Sequence, residues 1–115
     1  MIILVADDDD LVRTVVVRLL EFLGHEAVEV GTGEAALAAL KERSDLDVAL
    51  LDEQMPGLRG SEVLAQMRTF RPKMPVLLSS GNVGVEANDP YSMVLGKPYR
   101  LDTLEAALAK VADLQ

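Results

Sequence analysis

The chain contains neither cysteine nor tryptophan, and it has only one histidine, two phenylalanines and two tyrosines. Without cysteine, a disulfide framework and a thiolate metal site are excluded. A single histidine cannot supply the paired imidazoles that many zinc and copper sites use. With so few aromatic rings, a platform on which nucleic-acid bases stack is not expected.

Positive charge and long apolar runs are also scarce. The formal net charge is −8, whereas a nucleic-acid surface needs clustered Lys and Arg. No apolar run approaches the ~18 residues of a membrane span. The N-terminus lacks the basic start and long apolar segment of a signal peptide. We therefore expect a cytoplasmic protein that contacts neither nucleic acid nor a membrane directly.

The chain does have a regular alternation of short apolar runs and helical segments over its 115 residues. This length suggests one domain, residues 1–115. Short continuous apolar runs are typical of strands that are buried on both faces. The predicted strands are Ile2–Ala6, Ala27–Val30, Val48–Leu51, Val76–Ser79 and Met93–Leu95.

Apolar residues at helical spacing predict four helices between and after these strands. They run from Leu11 to Leu23, from Thr32 to about Arg43, from Ser61 to about Phe70, and onward from near Asp102. Thr32 and Ser61 are predicted N-caps. Asp102 and Glu105 have the spacing of a capping box.

The segment from Asn82 to Ser92 interrupts the alternation. It contains Gly84 and Pro90 together with an Asn-Asp pair, and each of these residues weakens a helix. Where a fourth of five helices would normally lie, we expect one or two loose turns or a loop.

Strands that alternate with helices and are buried on both faces form a parallel α/β sheet with helices on both sides. Five strands suit the flavodoxin-like order 2-1-3-4-5. We therefore predict this fold, with the fourth helix of the usual five short or absent.

Polar residues stand at the carboxyl ends of the predicted strands. In chain order they are Asp7, Asp8, Asp52, Ser79, Ser80 and Lys97. Parallel strands bring their carboxyl ends to one edge of the sheet, where ligands bind. Three carboxylates at one place favour a hard cation such as Mg²⁺, which prefers carboxylate oxygens and is commonly completed by phosphate.

Asp9 and Asp10 extend the run of aspartates but have a different predicted task. They stand at the start of the first helix. Negative charge is favourable at that end of a helix, and the side-chain oxygens can cap free N–H groups.

Four stretches, ILVADDDDLVR, LLDEQMPGLRG, PVLLSSGN and LGKPY, follow one another over essentially the whole chain. In this order and spacing they make the sequence resemble a response-regulator receiver domain of two-component signalling. The resemblance implies a phospho-accepting switch, and not an enzyme that acts on a separate substrate. Its partner would be a histidine kinase or a histidine phosphotransfer protein.

The resemblance also implies an acceptor and a metal site. Asp52 would receive the phosphoryl group from a phosphohistidine. Asp8 and Asp52 would bind Mg²⁺ directly, Asp7 mostly through water, and the backbone carbonyl of Gln54 would be a further ligand. An attacking carboxylate needs its negative charge offset, because the incoming phosphoryl group is negative too.

The remaining implied roles concern the response to phosphorylation. The Ser80 hydroxyl would move to bind the phosphoryl group, and the Lys97 amine would pair with its oxygens. The peptide bond between Lys97 and Pro98 would be cis. The family often has an aromatic residue three positions before the lysine, where this chain has Val94; Tyr91 or Tyr99 is the candidate substitute.

The short run between Ser80 and Lys97 and the ending GKPY are similar to receivers attached to hybrid histidine kinases. The sequence leaves open whether the chain stands alone or belongs to a longer protein with a kinase or output domain. In the family, the positions at which Gln54 and Asn82 stand tune the lifetime of the phosphorylated state.

Three other functions fit the sequence less well than the switch does. A small phosphatase with an aspartate nucleophile usually has a second acid two residues later, where Gln54 stands. A flavin-binding protein needs a hydroxyl-rich phosphate loop after the first strand, where this chain has aspartates. A pseudo-receiver used only for protein contacts should have lost Asp8, Asp52 or Lys97, and all are present.

Overall fold

The computed structural model describes residues 1–81 and 89–114. The strands are β1 (Ile2–Ala6), β2 (Glu26–Val30), β3 (Val48–Asp52), β4 (Val76–Ser80) and β5 (Ser92–Gly96). The helices within these ranges are α1 (Asp10–Phe22), α2 (Gly33–Glu42), α3 (Gly60–Met67) and α4 (Leu101–Ala112). None of the helices in these ranges is long and apolar enough to cross a membrane.

All five strands are parallel, and their order is β2-β1-β3-β4-β5, as predicted. The central strands are buried along their length, which is why their sequences are continuously apolar and not alternating. In register, Leu4 of β1 lies opposite Ala49 of β3, and Asp52 at the end of β3 lies opposite Ser79 of β4.

Two apolar clusters cover the two faces of the sheet, so helices lie on both sides. On one face, α2 and α3 pack against β1, β3 and β4 through residues such as Leu40 and Met67. On the other face, α1 and α4 pack through residues such as Leu20 and Leu104. Burying each of these large side chains contributes roughly 1.5–3 kcal/mol to the free energy of folding.

The predicted starts of α1 and α2 are confirmed by their capping bonds. Asp9 is the N-cap of α1, and its Oδ1 accepts hydrogen bonds from the N–H groups of Leu11 and Val12 at 3.0 and 3.1 Å. Thr32 is the N-cap of α2, and its hydroxyl accepts from the N–H of Ala35 at 3.0 Å.

The predicted start of α3 is wrong. The helix begins at Gly60 with Arg59 as its N-cap, so Ser61 lies inside the first turn. The arginine side chain has no acceptor atom with which to cap the helix. The backbone N–H of Arg59 itself donates to the Glu62 carboxylate at 3.1 Å. The helix ends at Met67 and not near Phe70.

The capping box predicted for α4 is also wrong. This helix begins at Leu101, with Arg100 as its N-cap, so Asp102 is its second residue. The Asp102 carboxylate accepts from the N–H of Thr103 at 2.9 Å and from the Arg100 guanidinium at 3.3 Å. Asp102 therefore contributes negative charge to the first turn without being the cap.

The predicted loop between β4 and β5 falls partly outside the described residues, which exclude 82–88 and therefore Asn82. Within the described part, residues 89–91 form a turn that leads into β5. Asp89 is fixed there by a two-point pair with Arg68, the C-cap of α3, at 2.6 and 2.9 Å. The two side chains are only 16% and 15% exposed.

Asp89→Asn should lower the free energy of unfolding at pH 7 by about 1–3 kcal/mol, because Arg68 then loses its charged partner in a partly buried place. The hydrogen bond from Arg68 lowers the pKa of the Asp89 carboxyl, and the N–H of Tyr91 lowers it further. A lowered native pKa stabilises the fold above the unfolded value of about 3.9, and this contribution disappears as the pH falls through the native pKa. Urea unfolding at several pH values should therefore show the difference from wild type shrinking below pH ~4.

Asp45→Asn is the matched control, because Asp45 pairs with Arg43 at the surface, where both side chains are over 40% exposed. It should change stability less. An equal effect of the two substitutions would contradict the assignment of Arg68–Asp89 as the stronger pair.

Candidate functional site

The strand ends that carry polar residues meet at one edge of the sheet, as predicted. Asp7 directly follows β1, Asp52 and Ser80 are the last residues of β3 and β4, and Lys97 directly follows β5. Asp7, Asp52 and Ser80 are all buried.

Three carboxylates form a cluster at this edge. Asp7, Asp8 and Asp52 each offer a carboxylate oxygen, and these oxygens all lie within 4.8 Å of one another. Asp8 is exposed, whereas Asp7 and Asp52 are buried. The donors are all oxygens, which fits a hard divalent cation such as Mg²⁺ and not a metal that prefers sulfur or imidazole.

The Lys97 amine lies between two of these acids. Its Nζ is 3.4 Å from Asp7 Oδ2 and 3.2 Å from Asp52 Oδ1. The lysine side chain is 26% exposed, so the amine lies at the border between the buried acids and solvent. The peptide bond from Lys97 to Pro98 is cis, as the resemblance implied.

The surroundings of Asp52 disfavour the charged form of its carboxyl group. Burial raises the pKa of the Asp52 carboxyl above its ordinary value, Lys97 opposes this rise, and the charge of Asp7 adds to it. The single ammonium does not outweigh burial and the neighbouring carboxylate. The site therefore favours additional positive charge.

Backbone and arginine donors hold the acids in place. The N–H of Asp9 donates to Asp7 Oδ1 at 2.9 Å, and the N–H of Gln54 donates to Asp52 Oδ1 at 3.2 Å. Each carboxylate is thus fixed by the amide two residues later, as in an Asx turn. Arg13 of α1 donates from Nη1 to the Asp7 carbonyl at 2.6 Å.

Ser80 and Lys97 are joined through the backbone. In the register of β4 and β5, Ser80 lies opposite Gly96, and the N–H of Lys97 donates to the Ser80 carbonyl at 2.8 Å. The hydroxyl and the amine named in the prediction therefore lie on neighbouring strand ends. Ser79, one residue earlier, lies opposite Asp52.

The two candidate substitutes for an aromatic residue at Val94 lie in different places. Val94 is 38% exposed on β5. The guanidinium carbon of Arg68 lies over the Tyr91 ring, 6.0 Å from the ring centroid. Tyr99 packs beside the acids: burial raises the pKa of its hydroxyl to about 12, against the opposing effect of the neighbouring Ser79 hydroxyl, with a further rise from Asp7 and Asp52. Tyr99 is therefore the tyrosine closer to the acidic cluster.

Sequence reasoning missed Glu53, which follows Asp52 and is buried. Its Oε1 accepts a hydrogen bond from the N–H of Ser61 in α3 at 2.7 Å. The signal in the sequence is indirect: α3 begins after an arginine, which cannot cap a helix with its side chain, so an acceptor from elsewhere is required.

Comparisons with known proteins identify the family to which the chain is similar. The family described as "Response regulator receiver domain" matches residues 3–109. The sensory/regulatory protein RpfC of Xanthomonas campestris pv. campestris is 38% identical over 91 residues, which are 76% of this chain and 12% of RpfC. The sensory transduction protein RegX3 of Mycolicibacterium smegmatis is 34% identical over 117 residues, covering 95% of this chain and 49% of RegX3.

Solved receiver structures share the fold. A response regulator receiver protein from Sinorhizobium medicae matches with a TM-score of 0.89 and 26% identity, covering 98% of this chain and 94% of that one. The response regulator TrrA from Thermotoga maritima, solved in complex with Mg²⁺-BeF, matches with a TM-score of 0.85 and 25% identity, covering 96% and 97%.

The match to the family extends over almost the whole chain. The chain spans half or less of the length of RpfC and RegX3. It belongs to the response regulator receiver domain family.

Proposed function

We propose that this chain is a phospho-accepting signalling switch in which Asp52 receives a phosphoryl group from the phosphohistidine of a histidine kinase or a histidine phosphotransfer protein. The observation that carries the proposal is the placement of the Lys97 amine within 3.4 Å of both Asp7 and Asp52, beside a cluster of three carboxylates. It acts in the cytoplasm, alone or joined to a kinase or output domain.

In the reaction, a carboxylate oxygen of Asp52 attacks the phosphorus atom. The new O–P bond forms as the N–P bond breaks, and the electron pair of that bond goes to the leaving imidazole nitrogen. Lys97 pairs with the phosphoryl oxygens, so that negative charge does not accumulate against Asp7. The amide of Gln54 holds Asp52 in orientation.

Asp7, Asp8, Asp52 and the backbone carbonyl of Gln54 would hold Mg²⁺. When bound, the ion neutralises charge on the transferred phosphoryl group. Backbone N–H groups hold the acidic side chains close together. Because their negative charges repel one another, this arrangement requires a cation.

The product is a phospho-aspartate, which adds negative charge and acceptor oxygens at the end of β3. The Ser80 hydroxyl moves to donate to it, and Lys97 stays paired with it. Because the Lys97 N–H is bonded to the Ser80 carbonyl, these changes act on β4 and β5 together. The two strands are the element through which phosphorylation changes the surface.

An apolar groove beside the site supports a protein as the donor. It has a volume of about 520 Å³ and is lined by residues of α1 together with Lys97, Pro98 and Tyr99. Two of the α1 residues, Leu11 and Val15, are 75% and 50% exposed. An apolar surface of the histidine-bearing partner would cover this groove and hold the N–P bond beside Asp52.

The test is phosphorylation by phosphoramidate, a small donor with an N–P bond, followed by intact-mass spectrometry. Wild type should gain one phosphoryl group with Mg²⁺ and none with excess EDTA. In Asp8→Asn the Mg²⁺ concentration for half-maximal uptake should rise at least about tenfold, corresponding to the loss of ~1.4 kcal/mol of binding free energy. In Asp10→Asn this Mg²⁺ concentration should change less than about twofold, because Asp10 Oδ1 pairs with Arg13 Nη2 at 2.6 Å.

Uptake by wild type that is equally rapid in EDTA, or no uptake at any Mg²⁺ concentration, would reject the proposed function. A larger effect of Asp10→Asn than of Asp8→Asn would mean that the metal ligands are assigned to the wrong aspartates.

A further inference from the structure

Glu53 follows the proposed phospho-acceptor and is only 8% exposed. Its Oε1 accepts from the N–H of Ser61 at 2.7 Å. Ser61 is the second residue of α3, so its N–H has no acceptor within the helix. A buried carboxylate needs such a partner, and the positive end of the helix favours its charge. Glu53 therefore fastens the end of β3 to the start of α3.

The backbone of Glu53 is held on both sides as well. Its N–H donates to the Ser79 carbonyl at 2.8 Å. Its carbonyl accepts from the N–H of Met55 at 3.2 Å and from the N–H of Gly60 at 3.4 Å. These bonds, together with that of the side chain, fix the direction in which the chain continues into Gln54.

That direction matters at the reacting carboxylate. The N–H of Gln54 donates to Asp52 Oδ1 at 3.2 Å, the same oxygen that lies 3.2 Å from Lys97 Nζ. A rotation of the Gln54 peptide would turn the Asp52 carboxylate away from Lys97. It would also move the Gln54 carbonyl, which is proposed to hold Mg²⁺.

We propose that Glu53 is a positioning residue for the phosphorylation of Asp52: its buried carboxylate, anchored on the Ser61 N–H, sets the Gln54 peptide relative to Asp52 and the metal. The inference rests on the proposed function. Glu53 does not contact the reactants and acts through Gln54.

The experiment compares Glu53→Ala and Glu53→Gln with Glu62→Ala in the full chain. Glu62 is the matched control, because it also accepts an N–H at the start of the same helix, from Arg59 at 3.1 Å, but on the exposed side. Two quantities are measured: Mg²⁺ binding by calorimetry without a phosphodonor, and the rate of phosphoryl uptake at saturating Mg²⁺. Urea unfolding corrects both for the folded fraction.

Glu53→Ala should weaken Mg²⁺ binding and slow phosphoryl uptake by about tenfold each. This is the lower end of the range for a residue that orients a metal ligand without binding the metal itself. Glu53→Gln keeps an acceptor oxygen and should stay within about threefold of wild type on the same scale. Glu62→Ala should change either quantity less than about twofold. If Glu53→Ala does not fold, Glu53→Asp replaces it: the shorter side chain cannot reach Ser61, and the tenfold losses should recur.

Equal effects of the Glu53 and Glu62 variants, a folded Glu53→Asp with wild-type behaviour, or a Glu53→Gln as impaired as Glu53→Ala would each overturn the inference. Failure of wild type to take up phosphate would instead reject the proposed function, while the calorimetric comparison would still decide whether Glu53 positions the metal site.

Discussion

Asp52→Asn should abolish phosphorylation, with a rate of uptake at least about 100-fold below wild type. The asparagine oxygen can still accept from the Gln54 N–H, so the local geometry is kept. The amide is not a nucleophile toward phosphorus, so no O–P bond forms. Intact-mass spectra after incubation with Mg²⁺ and phosphoramidate should show the added phosphoryl group on wild type only.

The substitution should not cost stability. Burial raises the pKa of the Asp52 carboxyl, so the native state disfavours the charged form, and at pH 7 this subtracts from the free energy of unfolding. A neutral amide removes this unfavourable contribution, although Lys97 loses its ion pair with Asp52. Urea unfolding should therefore give Asp52→Asn a stability equal to or above that of wild type.

The control for chemistry is Asp102→Asn, an exposed aspartate in the first turn of α4. It should be phosphorylated like wild type. The same mass gain in Asp52→Asn would place the acceptor at another residue, and peptide mapping would then identify it.

Gly60→Ala should lower the free energy of unfolding by about 2–4 kcal/mol. A methyl group at Gly60 would lie 2.5 Å from the Asp52 carbonyl oxygen and 2.8 Å from Leu78 Cδ1. The first of these is backbone at the phospho-acceptor, so it cannot move aside cheaply. Alanine's better helix propensity, about 1 kcal/mol, does not offset the clash. Thermal and urea unfolding measure the loss.

Gly96→Ala is the matched control, because a methyl group there meets no atom within 4 Å among the residues that the structure describes. It should change stability by less than about 0.5 kcal/mol. Phosphoryl uptake by the folded fraction of Gly60→Ala should also fall, since the clash displaces the backbone of Asp52. Equal unfolding curves for the two variants would contradict the close approach of α3 to β3.

The fold could be predicted because its strongest signals are local. The continuous apolar runs identified all five strands to within a residue at each end, and the strand-helix alternation gave the parallel order. The starts of α1 and α2 followed from Asp9 and Thr32, whose side chains bond only two or three residues ahead.

The start of α3 could not be predicted, because the residue that bonds its first turn is eight positions earlier. The Ser61 N–H donates to the Glu53 carboxylate, and Gly60 lies close to the backbone of Asp52. The prediction that Ser61, at the start of an apolar stripe, is the N-cap is therefore wrong. The pair of Arg68 and Asp89 could not be predicted for the same reason, since it joins residues 21 positions apart.

At the site, the rule that ligands bind beyond the carboxyl ends of parallel strands was enough to bring Asp7, Asp8, Asp52 and Lys97 together. Distances and burial were beyond reach, because they depend on packing. Sequence could not reveal that Lys97 lies between Asp7 and Asp52, nor that burial and Asp7 outweigh its charge at Asp52.

The bond from the Lys97 N–H to the Ser80 carbonyl lies at the end of the β4–β5 pairing. It therefore couples the register of these two strands to the position of the Lys97 ammonium. Strand β5 lies at the margin of the sheet. A slip of one residue along β4 would carry the ammonium about 3.3 Å and invert the facing of its neighbours. Edge-strand alignment thus decides whether the two buried acids have a counter-charge.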